Sequence, residues 1–222
     1  MSKLFVIDGL DGSGKGTITS RLEAHFCASS VPVRRISFPM YDRESSTLVR
    51  MYLEGRLGGS PEDTGPYAAS AMFALDRYIS FRTDWSEAYH GDGIIIADRY
   101  TSANIVHQMT KIPREKWDEF IDWMLDFEHT KLGLPAPDKV IYLDMLPQLS
   151  GRNIAKRSAD TGRNIDIHEK DTHHLAKSRE AGLYAAARLG WFLVDSHENG
   201  GLRSLDKVFD EVLKLCDYPV SS

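Results

Sequence analysis

The sequence predicts an α/β fold in which one five-stranded parallel sheet is flanked by helices on both faces. Three observations support this fold class. Short apolar segments alternate with helical ones, the first strand runs through a glycine-rich loop into a helix, and four of the five strands end in aspartate. The predicted strands are residues 4–8, 33–37, 94–98, 139–144 and 191–195.

The first strand leads into the most informative segment of the chain. Glycines let the backbone turn its N–H groups inward, and the helix that follows presents its positive end to the same point. The phosphate-loop spacing G-x-x-x-x-G-K is satisfied by Gly9, Gly14 and Lys15. Nine residues are therefore predicted to cradle a polyphosphate: Gly9, Leu10, Asp11, Gly12, Ser13, Gly14, Lys15, Gly16 and Thr17.

The helices are predicted from apolar residues that recur at helical spacing. Ile18, Leu22 and Phe26 recur every four residues after the loop. A second helix follows Pro66, and residues 113–132 carry one broad apolar and aromatic face after an opening proline. In contrast, residues 158–171 are polar and have almost no apolar periodicity, which is typical of a loop.

Composition limits the classes of function that fit. The 222 residues correspond to one domain, 1–222, and the net charge of -5 argues against general nucleic-acid binding. The apolar runs are too short for a signal peptide or a membrane span. Cys27 and Cys216 lie far apart and fit reduced thiols. We therefore expect a soluble cytoplasmic protein that binds a small phosphorylated molecule, with neither nucleic acid nor membrane as a partner.

The aspartates that end the strands should share one edge of the sheet, where open parallel sheets bind their ligands. Asp98 is followed directly by Arg99. This pair offers a carboxylate for Mg²⁺ or its bound water and a guanidinium for a second phosphate group, as phosphoryl transfer requires. A buried ion pair with a purely structural role is the alternative.

At this point the chain resembles the thymidylate kinases, a family of nucleoside monophosphate kinases with a phosphate loop, from residue 3 to about residue 215. The acid two residues after the first glycine of the loop is typical of the family. Other matching segments are Phe38-Pro39, Phe73-Ala74-Leu75-Asp76-Arg77, Asp98-Arg99-Tyr100 with Asn104 and Gln108, and Gly133-Leu134-Pro135-Ala136-Pro137-Asp138.

The resemblance implies ATP-dependent phosphorylation of dTMP to dTDP, with ATP and Mg²⁺, by a homodimer. It implies that Asp11 contacts the acceptor's sugar hydroxyl, Arg99 its phosphate, Phe73 the face of its base and Arg77 the edge, while Tyr100 closes the sugar pocket. The acceptor residues would be Asp11, Pro39, Tyr41, Phe73, Arg77, Arg99, Tyr100 and Gln108, with Asp98 at the metal.

The resemblance also implies a mobile lid over residues 156–172. One class of the family carries a catalytic arginine in the phosphate loop, where this chain has Gly12, and the other class supplies it from the lid. Arg157 and Arg163 are the lid candidates. The catalytic set would then be Lys15, Asp11, Arg99, Arg157 and Arg163.

Several positions depart from the family pattern. Gly16 replaces the hydroxyl residue that normally reaches Mg²⁺, and Tyr41 stands where an arginine is expected. Ala103 and His107 replace a serine and an aromatic residue. Two alternatives therefore stay open: a kinase for another nucleoside monophosphate or a deoxynucleoside, and a catalytically inactive protein that senses ATP.

Overall fold

The computed structural model describes residues 1–58, 63–161 and 172–218. Five parallel strands form one sheet in the order β2-β3-β1-β4-β5. The elements of the first half are β1 (Lys3–Gly9), α1 (Lys15–Ala28), β2 (Val33–Ser37), α2 (Thr47–Leu53), α3 (Pro66–Ser80), α4 (Ser86–His90) and β3 (Ile94–Asp98). Those of the second half are α5 (Thr101–Met109), α6 (Trp117–Leu125), β4 (Lys139–Asp144), α7 (Pro147–Thr161), α8 (Thr172–Leu189), β5 (Phe192–Asp195), the short hairpin β6 (His197–Glu198) and β7 (Gly201–Leu202), and α9 (Leu205–Leu215).

Each face of the sheet has its own apolar core, because side chains alternate along the strands. Phe5 and Ile7 of β1 pack in a cluster with α1 and α9, whereas Leu4 and Val6 pack with Phe81 and other aromatics on the opposite face. A third cluster joins α5, α6 and α8. Helices therefore cover both faces, as the fold class requires.

The register of the sheet brings the carboxyl ends of its strands together. Ile7 of β1 lies opposite Asp98 of β3, and Gly9 lies opposite Leu143 of β4. Asp144 in turn lies opposite Asp195 of β5. The loop that leaves β1 consequently starts between the ends of β3 and β4.

The five strands lie where the sequence predicts them, to within one residue. Arg34 and Arg35 interrupt the apolar pattern of β2 because this strand is at the sheet edge, where they pair with Asp84 and Glu23. The run predicted as one helix over 113–132 is helical but irregular: a 3₁₀ turn (Arg114–Lys116) precedes α6 and a π-helical turn (Asp126–Lys131) follows it.

Two further segments of the chain are helical. A π-helical turn, Phe81–Trp85, joins α3 to α4. Residues 158–161, predicted as loop, instead form the last turn of α7. The helix therefore continues into a polar segment that has almost no apolar periodicity. Residues 162–171 lie outside the described ranges. In the parts of the chain that the structure describes, no helix has both the length and the apolar character needed to span a membrane.

Helix α8 packs so closely on β4 that a glycine is required between them. A methyl group on Gly182 would lie 2.2 Å from the hydroxyl oxygen of the buried Tyr142. We expect Gly182→Ala to lower the free energy of unfolding by about 1–3 kcal/mol, because the added carbon displaces either the helix or the ring. Urea denaturation measures this change.

Gly151→Ala provides the matched control. Gly151 lies in α7, and a methyl group there would have nothing within 4 Å. We expect this variant to gain about 0.5–1 kcal/mol from the better helix propensity of alanine. Equal effects of the two substitutions would contradict the close packing of α8 on β4.

Candidate active site

The loop between β1 and α1 curls around the side chain of Lys15. Its Nζ donates hydrogen bonds to the carbonyl oxygens of Gly9 (2.9 Å) and Leu10 (2.7 Å). Gly12 and Gly14 adopt φ angles of 74° and 94°, which glycine tolerates at little cost. A glycine loop that encloses a cation and opens a helix is a site for phosphate groups.

Burial, and after it the charge of Arg99, lower the pKa of Lys15 from 10.5 to about 8. The carboxylates of Asp11, Asp98 and Asp8 oppose this shift. The lysine is thus a buried cation at the bottom of the site. A polyphosphate would favour its charged form, because a nearby anion stabilises the ammonium group.

Asp11 and Arg99 form a partly buried ion pair across the site. Burial opposes ionisation of Asp11, but the positive charges of Arg99 and Lys15 prevail and hold the pKa of this carboxyl well below its usual range. The same carboxylate raises the pKa of Arg99 despite burial. Arg99 has a φ of 65°, a conformation rare outside glycine and often found at functional sites.

The aspartates at the carboxyl ends of β1 and β3, Asp8 next to the last residue and Asp98 at the last, differ in their surroundings. Asp8 accepts hydrogen bonds from the N–H of Gly9 (2.8 Å) and from the hydroxyl of Ser102, and burial raises its pKa. Asp98 instead has a buried oxygen, Oδ1, without a hydrogen-bond partner in the described part of the chain. A carboxylate oxygen left open in this way fits the oxygen ligands that Mg²⁺ prefers.

One cavity of about 540 Å³ joins the phosphate loop to a second pocket beside α3 and α5. Six of the nine loop residues line it, while Gly9, Leu10 and Ser13 are buried behind them. The eight residues predicted for the acceptor all line this cavity, namely Asp11, Pro39, Tyr41, Phe73, Arg77, Arg99, Tyr100 and Gln108. Asp98 and Arg157 line it as well.

The second pocket has an aromatic entrance and a polar interior. Phe73 is half-buried, with its ring edge-on to Tyr52 at 6.0 Å between centroids, and Tyr41 is 44% exposed. Pro39 follows a cis peptide bond after Phe38. Gln108 is buried, and its Oε1 has no hydrogen-bond partner among the described residues. The pocket can therefore receive a flat ring that carries N–H groups.

Two of the predicted acceptor residues are already engaged within the protein. Arg77 is 2% exposed and forms an ion pair with the fully buried Glu128. Tyr100 is fully buried, and its hydroxyl donates a hydrogen bond to the carbonyl oxygen of Pro135 (3.0 Å). Both side chains form walls of the cavity, and the hydroxyl of Tyr100 is occupied by the backbone.

Helix α7 contacts the phosphate loop directly, which sequence reasoning missed. The hydroxyl of Ser150 donates to the carbonyl oxygen of Asp11, and Asn153 Nδ2 donates to that of Gly12 at 2.8 Å. A methyl group on Gly12 would lie 2.8 Å from the backbone oxygen of Ser150. Arg157 of the same helix reaches the cavity. Much of the lid predicted over 156–172, with Arg163, lies outside the described residues.

Comparison of the sequence with known proteins identifies one family. A family model described as thymidylate kinase matches residues 7–201. The chain belongs to the thymidylate kinase family. It is 29% identical over 191 residues to the thymidylate kinase of Mycobacterium tuberculosis, covering 85% of this chain and 87% of that protein. A probable thymidylate kinase of Saccharolobus solfataricus is 26% identical over 218 residues, or 97% of each chain.

A solved structure in the same family agrees in fold. The thymidylate kinase of Candida albicans superposes with a TM-score of 0.68 at 22% sequence identity, covering 96% of this chain and 90% of that one. The parallel sheet with helices around it is therefore the architecture of this family.

The buried cation of Lys15 makes a prediction about stability without nucleotide. Between pH 8 and pH 10.5 the unfolded chain binds a proton that the folded chain does not, so this lysine makes wild-type stability rise with pH. Lys15→Met has no such proton. The difference in free energy of unfolding, Lys15→Met minus wild type, should fall by about 2–3 kcal/mol from about pH 7 to about pH 10.5, because only wild type gains stability over that range.

Denaturant unfolding at a series of pH values measures this difference. Lys214→Met is the matched control, because it removes a lysine that is exposed on α9 and leaves the buried Lys15 in place; its difference from wild type should change much less than that of Lys15→Met. A difference, Lys15→Met minus wild type, that stays constant or rises with pH would contradict the lowered pKa.

Proposed function

We propose that the protein catalyses the ATP-dependent phosphorylation of dTMP to dTDP. The observation that carries this proposal is the single cavity shared by the phosphate loop with Lys15 and the pocket with Phe73. A kinase needs its two substrates side by side, because phosphoryl transfer depends on positioning and on charge around the phosphate oxygens. Membership of the thymidylate kinase family supports dTMP as the acceptor.

The donor half of the site is the segment from Gly9 to Thr17. Its backbone and Lys15 would hold the ATP phosphates, and the lysine's buried charge would stabilise the negative charge that builds up on the transferred group. Arg157, which lines the same cavity, is our candidate for the additional catalytic arginine, and Arg163 remains a prediction.

The acceptor half starts from the Asp11–Arg99 ion pair. In our proposal Asp11 accepts a hydrogen bond from the sugar hydroxyl, and Arg99 binds the acceptor's phosphate with its remaining N–H groups. Phe73 would stack on the base, Arg77 and Gln108 would meet its polar edge, and Pro39, Tyr41 and Tyr100 would form walls around the acceptor.

Asp98 would hold Mg²⁺, directly or through water. The supporting observation is its Oδ1, which has no hydrogen-bond partner among the described residues. Gly16 has no hydroxyl to offer the ion. The bound ion would neutralise charge on the phosphate groups.

A homodimer is also part of this proposal. Leu48, Leu75 and Ile79 are 44%, 39% and 42% exposed and lie on α2 and α3, which pack together. Exposed apolar residues that form a patch are typical of a protein interface. Helix α5 contributes little to such a surface, since eight of its nine residues are buried in the described structure. The cytoplasmic location stays a prediction.

A panel of acceptors tests the proposed reaction. With ATP and Mg²⁺ present, we expect kcat/KM for dTMP to exceed that for dCMP, AMP or a free deoxynucleoside by about tenfold or more, because a buried polar edge rejects a mismatched base. Coupled measurement of ADP release gives these values. A preference for another acceptor would overturn the assignment, and nucleotide binding without turnover would favour the ATP sensor.

Removal of the charge at Asp98 tests the metal site. We expect Asp98→Asn to lower kcat about 100-fold and to raise the Mg²⁺ concentration needed for half-maximal activity, because the amide is a weaker ligand for a hard cation. Asp8→Asn is the control, since Asp8 is buried and already hydrogen-bonded. An equal rise in the Mg²⁺ requirement for both variants would contradict the role of Asp98.

A further inference from the structure

Glu128 is a fully buried carboxylate that none of the proposed catalytic steps uses. It lies in the π-helical turn after α6, behind the wall of the acceptor pocket. Its Oε2 accepts from Arg77 Nε (2.7 Å) and from the Thr101 hydroxyl (2.7 Å), and its Oε1 accepts from Arg77 Nη2 and from Asn104 Nδ2 (3.2 Å). Four donors from α3 and α5 thus converge on one side chain.

The contact with Glu128 fixes the direction of the Arg77 guanidinium. A guanidinium is a planar fork, so an edge that meets a carboxylate through two parallel hydrogen bonds cannot turn without losing both. The Nε and Nη2 edge is held in this way. Arg77 also lines the cavity. Its Nη1, which does not contact Glu128, can donate a hydrogen bond to a ligand there.

The same carboxylate fixes the amide of Asn104. One N–H of its Nδ2 donates to Glu128, and the other donates to the backbone oxygen of Ser70 (3.0 Å). This leaves Oδ1, which is buried and has no hydrogen-bond partner within the described ranges. Because a buried acceptor without a partner is costly, this atom calls for an N–H donor from the cavity that Asn104 lines.

We propose that Glu128 is a positioning residue that sets the base specificity of the acceptor pocket, an inference that rests on the proposed function. By holding Arg77 as a donor and Asn104 Oδ1 as an acceptor, it creates a pattern complementary to a carbonyl next to a ring N–H. Thymine and uracil carry that pair. Cytosine carries the inverse pair, an amino group next to a ring nitrogen that accepts, and so meets donor against donor and acceptor against acceptor.

A glutamine at position 128 would disturb this arrangement while keeping its shape. Its amide offers one accepting oxygen and one NH₂ group, whereas all four groups that contact the Glu128 carboxylate, from three residues, are donors. In either orientation of the glutamine amide, its NH₂ group faces one N–H of the Arg77 fork, so the fork must turn. The donor and acceptor pattern that faces the base would no longer be fixed.

The test compares wild type with Glu128→Gln using dTMP, dUMP and dCMP as acceptors. We expect the ratio of kcat/KM for dTMP over dCMP to fall at least about tenfold, and the same fall for dUMP over dCMP. The KM for the acceptor should rise at least about fivefold, while the KM for ATP changes less than about twofold. A purely structural role would reduce activity without changing the ratio between the acceptors.

Two further variants complete the design. Asp126→Asn is the matched control, because Asp126 is an exposed carboxylate in the same turn whose partner is Lys131; its ratios should equal those of wild type. Thr101→Val removes one of the four donors and leaves Arg77 and Asn104 intact, so it carries the test if Glu128→Gln does not fold. We expect the dTMP over dCMP ratio to fall about threefold in Thr101→Val.

The outcomes separate this inference from the proposed function. The role of Glu128 is overturned if the ratios of kcat/KM between acceptors are unchanged in a folded Glu128→Gln. If only Thr101→Val folds, unchanged ratios in that variant overturn it. In both cases the turnover of dTMP by wild type stands. If wild type binds dTMP in calorimetry without phosphorylating it, the proposed function fails, and the dTMP over dCMP ratio of dissociation constants in the same variants decides the inference. Equal binding of dTMP and dCMP by wild type overturns the inference directly.

Discussion

The pairing of β1 between β3 and β4 is the constraint on which the rest of the molecule depends. Because the strands are parallel and in register, the loop that leaves β1 starts beside Asp98 on one side and Leu143 on the other. A methyl group on Gly9 would lie 2.5 Å from the backbone oxygen of Leu143, so the loop can start only from a glycine. Lys15 lies where this loop enters α1, and Arg99 lies directly after the end of β3. Both side chains line the cavity.

Within that frame, opposite charges are buried together and hold the site in shape before any ligand arrives. Arg99 keeps Asp11 ionised, while the same guanidinium helps to lower the pKa of Lys15. Glu128 similarly neutralises Arg77 in the acceptor pocket. Such pairs are expensive to desolvate, but their side chains cannot turn freely. A rigid set of charges around the phosphate groups contributes to catalysis because little reorganisation is needed in the transition state.

The parts of this arrangement that depend on local sequence could be predicted. The five strands and the phosphate loop were found from apolar runs and glycine spacing, and the family resemblance was confirmed by the comparisons. Contacts between distant segments could not be predicted. Glu128 lies in a stretch expected only to supply an apolar face, and its partner Arg77 is 51 residues away. Ser150 and Asn153 meet the loop across 139 and 141 residues, and no local pattern encodes such pairings.

The close approach of α7 to Gly12 limits how the site can change over evolutionary time. An arginine at position 12 would occupy space that the backbone of Ser150 and the side chain of Asn153 now fill. A side chain at position 12 and the present position of α7 therefore compete for one volume in this chain. A lineage could move the charge from helix to loop only by altering both segments together, since the loop substitution alone would first displace the helix that carries Arg157. Glycine at position 12 is thus required for the present close packing of α7 on the phosphate loop.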